Sequence, residues 1–399
     1  MSQLLASSPE SLKEIGLPRR DWILMISLSL LTLVALVCAM ELVARRVIPE
    51  SGAIFPACIV MNDPSAGLQG IPNSSCWEQA PEGQLTEYRF NRCGDRAGTE
   101  CGPKSPGTYR IVLAGSSFGF GFNVNRERTF PALLPTELSA ETGRKIELYN
   151  ESMAGRFPAQ VKRRFGDVLA ANPDMILWEI TPEDVEFLSA DRLPHHRELS
   201  TTKVIPIMKS ILPVLTFVRQ HALGWYDHIA IMLRHILYEN ENQDQYVTSF
   251  LMNGDNSAGF VKAEFSPSWQ GHLKEFDSCA ADIESQAKAA GILFAAVLLP
   301  NRAQAAMISM SDWPAGYDPY KLDHELRSII ESHGGIYIDI LPGYRTIANA
   351  EQYYFPVDGH PDARGHAIIS RLVARELTRG AIPALRTVVP PQFAQGQGK

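Results

Sequence analysis

Five short strand-length runs, each followed by a helical pattern, constrain this chain more than any other feature. The runs are Tyr109–Ala114, Lys145–Tyr149, Met175–Ile180, Ile292–Leu299 and Ile336–Leu341. The first is apolar and rich in β-branched and aromatic residues, as a buried parallel strand is. The helical patterns span about 126–142, 159–171, 273–290, 320–333 and 363–379. In the first, Phe130, Leu133, Leu134 and Leu138 form one apolar face. Strands alternating with helices predict an α/β domain with a five-stranded parallel sheet covered on both faces.

The first strand stops at Gly115 and runs into Gly115-Ser-Ser-Phe-Gly-Phe-Gly121. Two serines thus stand on a Gly-rich turn at the carboxyl end of a strand, the edge where open α/β sheets bind ligands. A serine held there, with backbone N–H groups beside it, meets the needs of a nucleophile with an oxyanion hole. A phosphate cradle is the alternative. The glycine spacing differs from the dinucleotide fingerprint, and no Gly-Lys-Ser/Thr follows for a P-loop. A purely structural turn is the plainer alternative.

The other end of the domain carries Phe355-Pro-Val-Asp-Gly-His-Pro-Asp-Ala-Arg-Gly-His366, after the fifth strand and before the last helix. That loop lies at the same sheet edge as the serines. A serine nucleophile needs a base, and a histidine base needs an acceptor to fix its tautomer; His360 and Asp358 supply both. Read structurally, Asp358-Gly359 is a turn and Asp362 a first-turn acid. Asp362 and His366 have helical spacing for a metal, without an obvious third ligand.

Ahead of the domain, Trp22–Met40 carries no charged residue, which is bilayer-spanning length for a helix. It is too long for a cleaved signal core, and Val37 before Cys38 is too bulky for a lipoprotein site. Lys13, Arg19 and Arg20 precede it and Arg45 and Arg46 follow, which leans toward a cytoplasmic amino terminus. Of the six cysteines, Cys58, Cys76, Cys93 and Cys101 cluster just beyond this segment. An even set in a Pro/Gly-rich stretch suggests two disulfides in an oxidising compartment, with three pairings open. A net charge of −7 argues against a nucleic-acid partner.

The expected organisation is a cytoplasmic tail (1–21), a transmembrane anchor (22–44), a Cys-containing, largely irregular extracytoplasmic extension (45–106), the α/β domain (107–380) and a disordered Pro/Gln/Gly-rich tail (381–399). An insertion at about 188–269 holds an apolar, helix-like stretch from Val204 to Tyr238. It reads as a helical hairpin packed on the sheet domain, or as a lid or bilayer-facing surface.

Gly-x-Ser after the first strand, a glycine after the second, a block after the third and Asp-x-His-Pro before the last helix resemble the SGNH/GDSL hydrolases. The resemblance covers about residues 88–380. Its specific parts are Gly115-Ser-Ser-Phe-Gly119 and the Asp358–His366 segment, and the lead-in Tyr88–Arg96 is similar to that of membrane-anchored bacterial members. It implies a flavodoxin-like three-layer α/β/α fold and serine ester hydrolysis or acyl transfer, with no metal or other cofactor. It further implies Ser117 as nucleophile, His360 as base and Asp358 as its partner. The Ser117 and Gly155 N–H groups would form the oxyanion hole. Ser116 falls where the family has Asp, and Glu183 where it has an oxyanion-binding Asn. An ionised Glu accepts and cannot donate, so it would oppose an oxyanion unless it turns away or Thr181 or Asn150 substitutes. The Asp-x-His spacing is one residue shorter than the commonest form and matches some carbohydrate O-acetyltransferase relatives.

The expected function is therefore an ester-acting hydrolase or O-acyltransferase, with a membrane and an ester-bearing small molecule or polysaccharide as partners. O-acetyl groups of an envelope polysaccharide fit the location. The other readings are a catalytically impaired binding protein of envelope-polymer assembly and a lipid or thioester hydrolase.

Overall fold

The computed structural model describes residues 18–47, 57–63, 66–79, 82–96, 98, 100–188, 233–252 and 254–387. The chain divides into two units, residues 1–52 with 205–227, and 53–204 with 228–399. The described part of the first is helix α1, Arg19–Val47. Its stretch Arg20–Ala39 is long and apolar enough to cross a membrane. Leu24, Leu28 and Leu31 on it are exposed rather than packed in a core.

The second unit opens with two antiparallel hairpins, β1 (Ile59–Asp63) with β2 (Gly67–Gly70), and β3 (Ser75–Gln79) with β4 (Leu85–Arg89). This corrects the expectation of an irregular extension. The strands are four or five residues long and interrupted by Cys and Gly, too short for period-two alternation to stand out. Disulfides Cys58–Cys76 and Cys93–Cys101 staple the region, joining near neighbours in sequence. Tyr88, fully buried in β4, stacks on Phe120 with ring centroids 5.5 Å apart. The extension is thereby packed onto the Gly-rich turn.

The main sheet comprises β5 (Thr108–Ala114), β6 (Lys145–Asn150), β7 (Met175–Ile180), β8 (Leu293–Leu298) and β9 (Ile336–Ile338). All pairings are parallel, in the order β6-β5-β7-β8-β9. In order of occurrence that is 2-1-3-4-5, the flavodoxin-like doubly wound order. β9 is shorter than expected because Asp339 accepts the Leu341 N–H at 3.2 Å and turns the chain.

After β5 come α2 (Ser117–Phe120) and α3 (Phe130–Thr142), the latter stopped by Gly143 at φ 67°. α4 (Pro158–Arg163) and α5 (Phe165–Ala170) lead to β7, and α6 (Pro182–Glu186) follows it. Residues 233–239 (α7) and Gln243–Leu251 (α8) belong to the insertion. α9 (Pro267–Ala289) starts earlier than expected because Ser266 caps it and Pro267 suits its first turn. α10 (Arg302–Ser309), α11 (Lys321–His333) and α12 (Ala363–Glu376) follow, with short helical turns at Asp255–Ala258 and Leu341–Tyr344. α10 escaped the sequence reading because its apolar side is mostly alanine.

α3 packs with α12, while α9 packs with α4, α5 and α11. Right-handed crossovers put these groups on opposite faces of the sheet. Every residue of β7 is buried, and Trp178 on it stacks on Phe276 of α9 at 5.2 Å. Burying such a ring contributes about 1.5–3 kcal/mol. In the insertion, Val247, Leu251, Phe260, Phe265 and Trp269 join the same core. The rest of its apolar stretch, before residue 233, lies outside the described residues. Ile382 and Leu385 are buried, so packing continues past the expected start of the tail; residues 388–399 also lie outside.

Candidate active site

The switch in crossover direction opens a crevice at the carboxyl ends of β5 and β7. Ser117 enters it as the first residue of α2. Its Oγ lies 2.7 Å from His360 Nε2, and His360 Nδ1 lies 2.7 Å from Asp358 Oδ2. Elements 243 residues apart in sequence thus deliver three side chains into one hydrogen-bonded chain. The loop between β9 and α12 is pinned by a backbone bond from Phe355 N–H to His360 O at 2.8 Å. Asp362 then caps α12 by accepting the Arg364 and Gly365 N–H groups. The Phe118 and Phe122 rings flank the imidazole, each 5.3 Å away, and limit its rotation.

The two serines have separate fates. Ser116 is 3% exposed and points beneath the turn. Its Oγ lies 3.1 Å from Asp184 Oδ2 and 3.3 Å from Glu179 Oε1, and its N–H donates to Glu179 Oε2 at 3.1 Å. The glycines of the turn are required by this carboxylate: a Cβ on Gly115 would come within 1.9 Å of Glu179 Oε2, and one on Gly119 within 2.3 Å. Only backbone can pass there, and the backbone so placed carries Ser117 into the crevice. Burial raises the Asp184 carboxyl to about 7 against the hydrogen bonds from Thr181, and burial with the Asp184 charge raises Glu179 well above its ordinary value.

Desolvation works against a charged His360, but the Asp358 carboxylate, aided by Glu183, outweighs it and holds the imidazole above its ordinary value. For Asp358 the pull of His360 outweighs desolvation and lowers the carboxyl. An imidazole that gains a proton readily and keeps its anion beside it is suited to act as a general base.

Ser117, Asp358 and His360 line a cavity of about 300 Å³ with Gly155, Glu183, Asn301 and several aromatic rings. Gly155 adopts φ 73°, a conformation open to glycine. Among the described residues, neither the Ser117 nor the Gly155 N–H is spent on another protein group. Thr181 and Asn150 are committed elsewhere: the Thr181 hydroxyl donates to Asp184 at 2.8 Å, and the Asn150 amide to Gly119 O at 2.8 Å. Glu183 accepts a hydrogen bond on Oε1 from Asn301 Nδ2 at 2.9 Å. Asn301 was missed in the sequence, as was α10, the helix it caps; the Pro-Asn pair closing the fourth strand, at its carboxyl edge, was the available signal. His366 is fully buried, accepts the Phe130 N–H at 3.2 Å and is pushed down to about 3 by burial. It is a neutral core residue, and among the described residues no cluster of three metal-ligating side chains forms around it.

No family model and no curated protein matches the chain. Solved structures do. The chain is similar to TesA, with 12% identity, 69% of this chain and 99% of that one covered, and a TM-score of 0.36. It is similar to the psychrotrophic esterase EstA from Pseudoalteromonas sp., with 14% identity, 67% and 96% covered, and a TM-score of 0.35. A third is the lipase/acylhydrolase from Enterococcus faecalis, with 12% identity, 67% and 95% covered, and a TM-score of 0.36. At these values the site stands on its own geometry. The strand order and the Ser117–His360–Asp358 arrangement are those that the resemblance to SGNH/GDSL hydrolases implies.

Proposed function

We propose that this chain is a serine esterase or O-acyltransferase acting on ester groups, with O-acetyl groups of an envelope or extracellular carbohydrate as its substrate. The observation that carries the reading is the hydrogen-bonded chain from Ser117 Oγ through His360 to Asp358, 2.7 Å at each contact. His360 Nε2 takes the Ser117 proton as Oγ bonds to the ester carbonyl carbon, and the carbonyl electron pair moves onto oxygen. The Ser117 and Gly155 N–H groups hold that oxyanion. Collapse breaks the bond to the alcohol oxygen, which takes the proton from His360. Water, or a sugar hydroxyl, then attacks the acyl-serine by the same steps and frees Ser117.

The carbohydrate preference rests on location. α1 serves as a single-pass anchor, and the paired cysteines belong to an oxidising compartment, so the domain works in the periplasm or at the outer surface. A lipid or thioester substrate is favoured by one observation: Phe118, Phe157, Phe187, Tyr246 and Phe250 line the cavity. A binding protein with impaired catalysis is favoured by Glu183 at the oxyanion side. Full-length protein in detergent, given an O-acetylated polysaccharide beside 4-nitrophenyl esters of increasing chain length, separates the three. Acetate release from the polymer with preference for acetyl over longer esters supports the proposal. A rise of kcat/KM with chain length moves the substrate to lipids, and no turnover by folded protein favours the binding role.

A further inference from the structure

The triad loop is held from outside the α/β domain. Glu82, in the loop between β3 and β4, is 5% exposed. Its carboxylate accepts the Val357 N–H on both oxygens, at 2.9 and 3.0 Å, and also the N–H of Asp358 itself. The same hairpin reaches Asp358 by a second route. The Asn123 side chain hydrogen-bonds the Asp358 carboxylate, the Asn123 N–H donates to Tyr88 Oη at 3.0 Å, and Tyr88 bonds to Glu78. A backbone N–H removed from water needs an acceptor, and a carboxylate is among the strongest. Asp358 is 27% exposed; its own domain fixes the loop through the Phe355–His360 and Gly359–Phe355 backbone bonds and Arg302 on Pro356 O, and Glu82 adds the bonds to the Val357 and Asp358 N–H groups.

We propose that Glu82 is a positioning residue for the catalytic aspartate, so that the disulfide-stapled extension is part of the active centre rather than a spacer. By clamping the Val357 and Asp358 N–H groups it sets the Asp358 carboxylate against His360 Nδ1, and through it the imidazole against Ser117. Glu82 does not line the cavity beside Ser117, so it acts on turnover and not on substrate binding. Among the described residues, the titratable groups facing this unit include Tyr88 beside Asp358 and His366 beside His360. His235 of α7 lies 2.8 Å from Glu82 Oε1, Glu78 faces Asp358, and Asp358 and Glu183 face His360. The insertion thus touches the same clamp through α7.

The inference rests on the hydrolase reading for its kinetic arm alone. Glu82→Ala and the near-isosteric Glu82→Gln are compared with wild type as full-length protein. Two readouts are taken: ester hydrolysis, and the His360 titration by NMR without substrate, assigned with His360→Ala. A misplacement of about 1 Å costs on the order of 100-fold in rate. Expected are a kcat loss of about 10- to 100-fold in Glu82→Ala, unchanged KM, a smaller loss in Glu82→Gln, and a downward shift of the His360 titration in both. If Glu82→Ala does not fold, Glu82→Gln carries the test with the same two signs. A kcat within twofold of wild type, or a loss with an unmoved His360 titration, overturns the proposal. If wild type hydrolyses nothing, the titration still decides the role of Glu82, while the hydrolase reading falls separately.

Discussion

Glu183 and Asn301 form a pair in the cavity beside Ser117, the carboxylate accepting the amide N–H at 2.9 Å. The pairing ties one carboxylate oxygen to α10 and leaves an acceptor where the resemblance implies an oxyanion donor. Glu183→Asn replaces that acceptor by a donor. One oxyanion-hole donor is worth about 100- to 1000-fold in rate. Allowing for imperfect placement, the account predicts a kcat gain of about 10- to 100-fold on a simple acetyl ester, read by steady-state kinetics. An unchanged or lower kcat would show that the side chain at position 183 does not reach the oxyanion.

The His360–Asp358 contact sets the pH dependence. The imidazole must be neutral to accept the Ser117 proton, and it is held above its ordinary value of about 6.5. The acid limb of kcat/KM therefore lies above that value. Asp358→Asn removes the carboxylate that raises it, so the limb moves to lower pH while kcat falls about 1000- to 10,000-fold. A pH–rate profile of both proteins checks the two signs together.

Glu179 and Asp184, bridged by Ser116, make the fold lose stability as pH rises from the acid range. Both carboxyls are raised in the folded protein, so the folded state keeps protons that the unfolded chain releases above about pH 4. Stability falls as pH rises from there until the raised values are passed. Glu179→Gln keeps an acceptor for the turn and cannot ionise. Its Tm should decline less than that of wild type between about pH 5 and pH 8, when followed by circular dichroism. A parallel decline would mean that the pair does not hold a proton.

Arg96 joins the extension to the nucleophile turn. It is 2% exposed and donates to the carbonyls of Phe120, Gly121 and Val124 at 3.0, 2.6 and 2.7 Å, with its guanidinium 4.4 Å from the Tyr88 ring. Arg96→Ala strands these acceptors and opens a cavity. A loss of about 3–5 kcal/mol in denaturant unfolding is expected, with the turn as its centre.

The parallel sheet was legible because β5, β7 and β8 are strand-length and mostly apolar, with Arg110 and Glu179 as the charged exceptions, and the site because its two halves carry short, specific motifs at the same edge. The hairpins were not. Their strands owe their form to contacts such as Tyr88 on Phe120 rather than to local pattern, and Leu85-Thr-Glu-Tyr-Arg89 shows too few apolar positions to announce a strand. Neither Glu82 nor Asn301 stands out in the sequence. Their contacts at the site come from residues 275 and 118 positions away, a distance over which a single sequence carries no signal. Apart from the resemblance, which points to Ser117, nothing in the residues themselves separates Ser116 from Ser117. What separates them is Glu179, which draws one serine beneath the turn and leaves the other to His360.

That separation is the most direct test. Full-length wild type, Ser117→Ala and Ser116→Ala are treated with a fluorophosphonate ester, and the adduct is located by peptide mass. The account predicts one phosphonyl group on Ser117 in wild type and in Ser116→Ala, and none in Ser117→Ala, with acetyl-ester hydrolysis following the same pattern. An adduct on Ser116, or undiminished labelling and turnover in Ser117→Ala, would contradict it.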